Sequence, residues 1–207
     1  MVRRTKQDAL ATRDLILDTA EVVFQRRGVS RTSLKEIAQA AGLTRGAIYW
    51  HFKDKADLFN AMMQRVVLPM EEAVTRSDGL LPADPVKHVR QAFVDALRKT
   101  VNDPQVRRVF EIATHKVEYV DELEAVRDRH LAVRNNCMAH VASRLTLAMR
   151  RGAPGRRVPA RAAALGLHAL IDGLIQNWLL DPEAFDLVRV GMQAIDTYLA
   201  GLALARR

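Results

Sequence analysis

The chain has 207 residues and a mass of 23.2 kDa, room for one large domain or a small and a medium one, and too little for a large multidomain enzyme. Hydrophobic residues make up 49% and charged residues 27%, so the chain can bury a core, and disorder is excluded as its main state. A formal charge of +8 and an isoelectric point near 10.1 favour a polyanionic partner without identifying it.

Helical periodicity dominates from end to end and strand alternation is nearly absent, so the expected fold class is all-α. Ile16, Ala20, Val23 and Phe24 follow helical spacing and Gly28 stops them, which predicts a first helix from about Thr12 to Arg27. Ser33 followed by Glu36 reads as a capping box opening a short helix with Leu34, Ile37, Ala38 and Ala41 inward. Gly42 ends it, and Thr44 caps the next helix at once, with Leu43, Ala47, Ile48 and Phe52 inward. Two short helices joined by a tight glycine turn make a helix-turn-helix. A long apolar-periodic segment then runs from Asp54 toward Ser77, with an interruption expected at Pro69. The stretch from Ser77 to Asp84 reads as a loop. Asp84-Pro85 and Asp103-Pro104 each set a capping acid before a proline at the first helical position, so helices begin there. Further helices are expected at about Asp121 to Arg150, Ala160 to Leu180 and Asp186 to Ala205, with a basic loop from Arg151 to Pro159.

The charge is uneven along the chain. The first 60 residues carry 11 Lys/Arg against 7 Asp/Glu, and the remaining 147 carry 21 against 17, so the excess is more than twice as dense at the N-terminal end. A helix-turn-helix offers its second helix to the major groove. Here that helix is TRGAIYWHF. Arg45 is the candidate base reader, because a guanidinium can bond guanine O6 and N7 together, and Gly46 beside it allows close approach. Tyr49, Trp50 and His51 do not fit the small internal face and are expected to meet the DNA. Thr32, Ser33 and Thr44 would supply hydroxyls and helix N-terminal N–H groups to phosphates, with Lys55 adding charge. A packed helix with surface aromatics accounts for the spacing equally well.

The run TSLKEIAQAAGLTRGAIYWHFKDKADLF resembles the signature of TetR-family transcriptional regulators. That resemblance covers about residues 12 to 60 and implies a homodimer with its two recognition helices in successive major grooves of operator DNA. RRVFEIATHKVEYVDEL and IDGLIQNWLLDPEAFDL resemble, more loosely, the AcrR-like branch of repressors of multidrug efflux operons. The organisation expected is a DNA-binding domain at 1–54 and a ligand-binding and dimerisation domain at 55–207.

Four apolar stripes in the C-terminal part can converge on a pocket: Val89, Ala92, Phe93 and Ala96; Phe110, Thr114 and Val117; Val133, Cys137 and Val141; Ile171 and Ile175. His168, Asp172 and Gln176 recur at i, i+4 and i+8 on the face of the last stripe. Such polar groups either bond within a core or dimer seam or are the few polar groups of an apolar small-molecule site. The resemblance favours the site, with Thr114 and Cys137 in its lining and Val66 reaching it, for a small hydrophobic or aromatic effector. Ala162, Gly166, Ala169 and Gly173, with Gly191, Ala194, Tyr198 and Gly201, form small-residue faces suited to a two-fold dimer interface or to a central position in one monomer.

No uninterrupted apolar run approaches the ~18 residues of a membrane span, and none follows the basic N-terminal stretch, so a cytoplasmic protein with no membrane partner is expected. Cys137, the single cysteine, leaves no internal disulfide and no thiolate metal cluster. His51, His88, His115, His130, His140 and His168 fall in no metal-ligand spacing, no glycine-rich phosphate loop is present, and no nucleophile elbow or distinct acid/base pair stands out. The reading is therefore no enzyme, no cofactor and no metal. Its alternatives are a regulator of this type sensing a metabolite, and a helical small-molecule binder without specific DNA binding.

Overall fold

The computed structural model describes residues 6–75, 84–151 and 158–202, and among these every regular element is helical. In chain order they are α1 (Lys6–Arg27), α2 (Leu34–Ala40), α3 (Arg45–His51), α4 (Lys55–Thr75), α5 (Pro85–Asn102), α6 (Pro104–His115), a 3-10 turn (Asp121–Leu123), α7 (Glu124–Arg151), α8 (Ala160–Leu180) and α9 (Leu187–Gly201). The all-α class is as expected. The expected loops at Ser77 to Asp84 and Arg151 to Pro159 fall largely outside the described residues.

Local chemistry sets the boundaries. Asp84 accepts from the N–H groups of Val86 and Lys87, both at 3.1 Å, with Pro85 at the first helical position, where its missing donor costs nothing. Asp103 does the same for Gln105 and Val106, and Asp186 caps α9 through Arg189 N–H at 2.9 Å. Two expectations are corrected. α1 starts at Lys6, ahead of Thr12, because its first turns are polar and carry no apolar period to read. α4 runs through Pro69 without a break; proline removes one intrahelical bond but does not always end a helix.

Two compact units result, and they are not two successive halves of the chain. One contains the residues up to Val66 together with Arg108–His130; the other contains Val67–Arg107 and the chain from Leu131 onward. In the first, Ile16, Leu17, Ala20 and Phe24 of α1, Ile37 of α2, Ile48 of α3 and Leu58, Phe59 and Met62 of α4 are buried, with the Phe24 and Phe59 rings tilted at 6.2 Å. Gly28, at φ +81°, turns the chain out of α1, and its neighbour Val29 donates to the Lys116 carbonyl at 2.8 Å, which ties the end of α6 to the end of α1.

In the second unit α9 packs against both α5 and α8. Its core holds Val89, Phe93, Leu97, Met138, Val141, Leu145, Leu167, Ile171, Trp178, Ile195 and Leu199. Each such side chain removed from water contributes about 1.5–3 kcal/mol before entropy is set against it. Arg107 lies over the Trp178 ring at 4.8 Å, and Arg90 grips Asp196 with bonds of 2.6 and 2.9 Å.

Two of the small residues expected at a dimer face are used inside the chain. A Cβ on Gly191 would run into Leu97, and one on Gly166 would meet the Tyr198 hydroxyl, which donates to the Ala163 carbonyl at 3.0 Å. By length and composition α8 could cross a membrane. Here it is a central helix, with Ala163, Ala164, Leu167, Ile171 and Trp178 in the core.

Candidate nucleic-acid interface and effector core

The interface is built by two caps and one turn. Ser33 Oγ accepts from the Glu36 backbone N–H at 3.3 Å while the Glu36 carboxylate accepts from the Ser33 N–H at 2.8 Å, the reciprocal capping box. The Ser33 backbone N–H, and after it the Ser33 hydroxyl, hold the Glu36 carboxyl below its usual range. Gly42 adopts φ +69°, a left-handed conformation that side chains resist, and lets Leu43 N–H reach back to the Ala38 carbonyl at 2.8 Å. Thr44 then caps α3, its hydroxyl accepting from Ala47 N–H at 3.2 Å.

With α3 fixed at its start, its faces follow. Ile48 and Phe52 turn into the core; Arg45, Gly46, Tyr49 and Trp50 face solvent, Trp50 at 71% and Tyr49 at 46% exposure. The Arg45 guanidinium lies 5.4 Å above the Tyr49 ring, and the Trp50 and His51 rings meet edge to face at 4.5 Å. His51 is half-buried. Between the start of α2 and the turn joining α3 to α4 lies an open groove of about 520 Å³ bordered by Ser33, Tyr49, Lys53 and Lys55 among others. Ser33 and Thr44 are exposed at the starts of α2 and α3, where N–H dipoles favour an anion. Lys55 is half-buried and donates from Nζ to the Ser30 carbonyl at 3.1 Å, holding the loop before α2.

Thr32 departs from expectation. It is only 2% exposed and its hydroxyl donates to the Gly28 carbonyl at 2.8 Å, so a phosphate contact from that side chain is corrected to an internal bond.

The expected pocket residues separate by unit. Val89, Phe93, Val141 and Ile171 are brought together in the second core, with Cys137 and Ile175 partly buried against it and Ala92, Ala96, His168 and Gln176 half-buried. Asp172 is different. It lies on the exposed face of α8 and accepts from the Gln176 amide at 2.7 Å, away from the core that holds Ile171. Val66, buried, and Phe110 and Thr114, half-buried, belong to the first unit. Among the described residues no three His, Cys, Asp or Glu side chains gather as a metal ion requires.

Sequence reading missed one buried charge. Glu21 lies in phase with Leu17 and Phe24 on the inner face of α1 and approaches Arg65 of α4 and Arg108 of α6. The available signal was an acid at an apolar position of the 3.6-residue period.

Comparison with known proteins accords with this arrangement. Residues 16–62 match the model of the bacterial regulatory proteins, tetR family, and residues 84–204 match that of the MAATS-type transcriptional repressor, C-terminal region. The chain is 37% identical over 205 residues to the HTH-type transcriptional regulator TtgR of Pseudomonas putida, covering 99% of this chain and 98% of that one. It is similar in structure to NalD, the secondary repressor of the MexAB-OprM multidrug efflux pump in Pseudomonas aeruginosa, at TM-score 0.80 and 34% identity over 95% of this chain and 96% of that one. It is also similar to the triclosan complex of SmeT, at TM-score 0.81 and 31% identity over 92% and 91%; SmeT is the repressor of the Stenotrophomonas maltophilia multidrug efflux pump SmeDEF.

Proposed function

This chain belongs to the tetR family of bacterial regulatory proteins, and from that premise we propose that it represses a multidrug efflux operon and leaves its operator when a small hydrophobic or aromatic compound binds. The observation that carries the reading is the outward face of α3, where Arg45, Gly46, Tyr49 and Trp50 stand free above a helix anchored by Ile48. Solvent-facing aromatics beside a guanidinium add nothing to the core, whereas base edges and phosphates offer them apolar contacts and hydrogen-bond partners. Ser33 and Thr44 would meet phosphates through helix starts, and Lys55 would add charge; these contacts position the protein and do not select sequence.

Residues 1–54 then read DNA, and 55–207 hold the effector and the dimer contact. The effector is proposed to lodge among Val89, Phe93, Cys137, Val141, Ile171 and Ile175, an apolar lining with His168 and Gln176 at its margin. That NalD and SmeT are efflux-pump repressors, and that SmeT is known with triclosan, supports both the operon class and the ligand class. Dimerisation is proposed through α8, which leaves Leu165, Ala169 and Leu180 exposed, Leu180 at 69%. A two-fold dimer would set its recognition helices about 34–36 Å apart. We place this regulator in the cytoplasm and assign it no catalysis.

The test is binding of the purified protein to the duplex upstream of its own gene and to an unrelated duplex of equal length, at one stated salt concentration. A specific reader binds the first at least about 10³-fold more tightly. Equal affinity for both would reject the assignment.

A further inference from the structure

The ends of α1 and α6 meet inside the first compact unit, where Val29 N–H donates to the Lys116 carbonyl at 2.8 Å. Beside that tie lies a cleft of about 200 Å³. Its walls carry Arg26 and Arg27 from the last turn of α1, Arg31 from the loop before α2, and His115 and Lys116 from the end of α6. Arg27 is held by Glu36 at 2.8 Å. Among the described residues, Arg26, Arg31 and Lys116 form no ion pair, and neither does Glu118, an exposed carboxylate in the same lining. Ser30 completes the wall. Its Oγ is buried without a hydrogen-bond partner, while its carbonyl accepts from Lys55 Nζ.

Basic residues in the last turn of a helix complement its dipole, which accounts for Arg26, Arg27 and His115. It does not account for Arg31 and Lys116, which lie beyond the helix ends yet border the same cleft, or for a hydroxyl buried without a partner, which is costly. A carboxylate offers two oxygens and one charge. A phosphate group offers three or more oxygens and close to two charges, enough for several guanidinium and ammonium donors together. We propose that this cleft binds a small phosphate-bearing anion, with Arg26, Arg31 and Lys116 as its contacts. The cleft is more enclosed than the groove between α2 and the turn after α3, which suits a free molecule better than the face of a duplex. It involves none of the residues of the proposed effector core, which belong to the other compact unit, and it does not depend on the repressor reading.

The experiment titrates inorganic phosphate into the full-length, DNA-free protein at constant ionic strength, following backbone amide shifts by NMR. Saturable shifts at 26–31 and 115–118 with one shared Kd are expected, with no saturable response to acetate. Lys116→Gln and Arg31→Gln, which spare the core and keep the Lys116 carbonyl, should each weaken phosphate binding at least about 10-fold, the equivalent of one hydrogen bond to a charged group. Shifts that rise without saturating, acetate binding as tight as phosphate, or variants that bind as the wild type does each overturn the proposal. So do shifts confined to 33–36 and 44–47, which would place the anion at the starts of α2 and α3. Binding of the duplex upstream of the gene then separates the two sources of phosphate. A Lys116→Gln protein whose dependence of log K on log salt matches the wild type's leaves the cleft to a free anion, whereas a slope smaller by about 1 assigns it to the DNA backbone and overturns the small-ligand assignment. The phosphate titration uses no DNA, so failure of the repressor reading leaves its result standing.

Discussion

In the unit built around α3, Tyr49 and Trp50 face solvent while the helix hangs from Ile48; in the unit built around α8, Phe93 and Trp178 are buried and polar Asp172 lies at the outer side. The first unit carries its chemistry outside a small core. The second carries its large apolar side chains inside one. A surface reader tolerates change at its outer face without loss of fold, whereas a site made from core residues couples binding to stability.

The largest expected effects break the first half of this contrast from within. Ile48→Ala removes the anchor of α3 and is expected to cost about 2–5 kcal/mol of stability, seen as a lowered denaturant midpoint with operator binding lost alongside. Trp50→Ala, on the outward face of the same helix, should leave stability within about 0.5 kcal/mol of the wild type and still weaken operator binding. If the two variants melt alike, the division between anchor and reader is wrong.

Next in size, Gly191→Ala places a methyl group against Leu97 in the second core, and overpacking of this kind costs about 1–3 kcal/mol. Calorimetry on that variant and on Gly173→Ala, where a Cβ meets nothing within 4 Å, sharpens the comparison. A Gly191→Ala protein as stable as the wild type would show that α9 and α5 have slack.

Arg45→Ala tests the reader alone. It should lose about 1–3 kcal/mol of discrimination between operator and unrelated duplex, with thermal unfolding unchanged. A uniform loss on both duplexes would instead assign Arg45 to phosphate contact.

The smallest effect is electrostatic. Arg90, chiefly through its hydrogen bond, depresses the Asp196 carboxyl below 3.8, and the Ser33 N–H depresses Glu36 below 4.5. A carboxylate more acidic when folded stabilises fully above its unfolded value and loses that contribution as pH falls through its folded value. Stability should therefore be flat with respect to these groups above pH 4.5 and decline below it, and the part due to Asp196 should vanish in Asp196→Asn. A decline in that variant equal to the wild type's would remove the ion pair from the account.

Much of this architecture was written in local sequence. Ser33 with Glu36, Thr44, Asp84-Pro85 and Asp103-Pro104 each specify a helix start through their own hydrogen bonds, and Gly42 specifies the turn through its backbone freedom. The outward face of α3 followed because Ile48 and Phe52 claimed the inner one. What was not legible depended on distant contacts. That Arg108–His130 folds with the N-terminal unit is set by pairs such as Arg108 with Glu21 and Gln25 with Glu111, 87 and 86 residues apart. Thr32 read as a phosphate ligand because a hydroxyl before a helix can serve phosphate or carbonyl, and only the position of Gly28 decides. Asp172 shares a helical stripe with Ile171 in sequence, yet about 100° of helix rotation separates neighbours and carries it out of the core.

The most direct test of ligand release is operator affinity measured at fixed salt with and without saturating triclosan and a panel of other hydrophobic antimicrobials. The account predicts that at least one of them weakens operator binding by about 5- to 150-fold while the unrelated duplex is unaffected. Operator affinity that stays constant across the whole panel would contradict it.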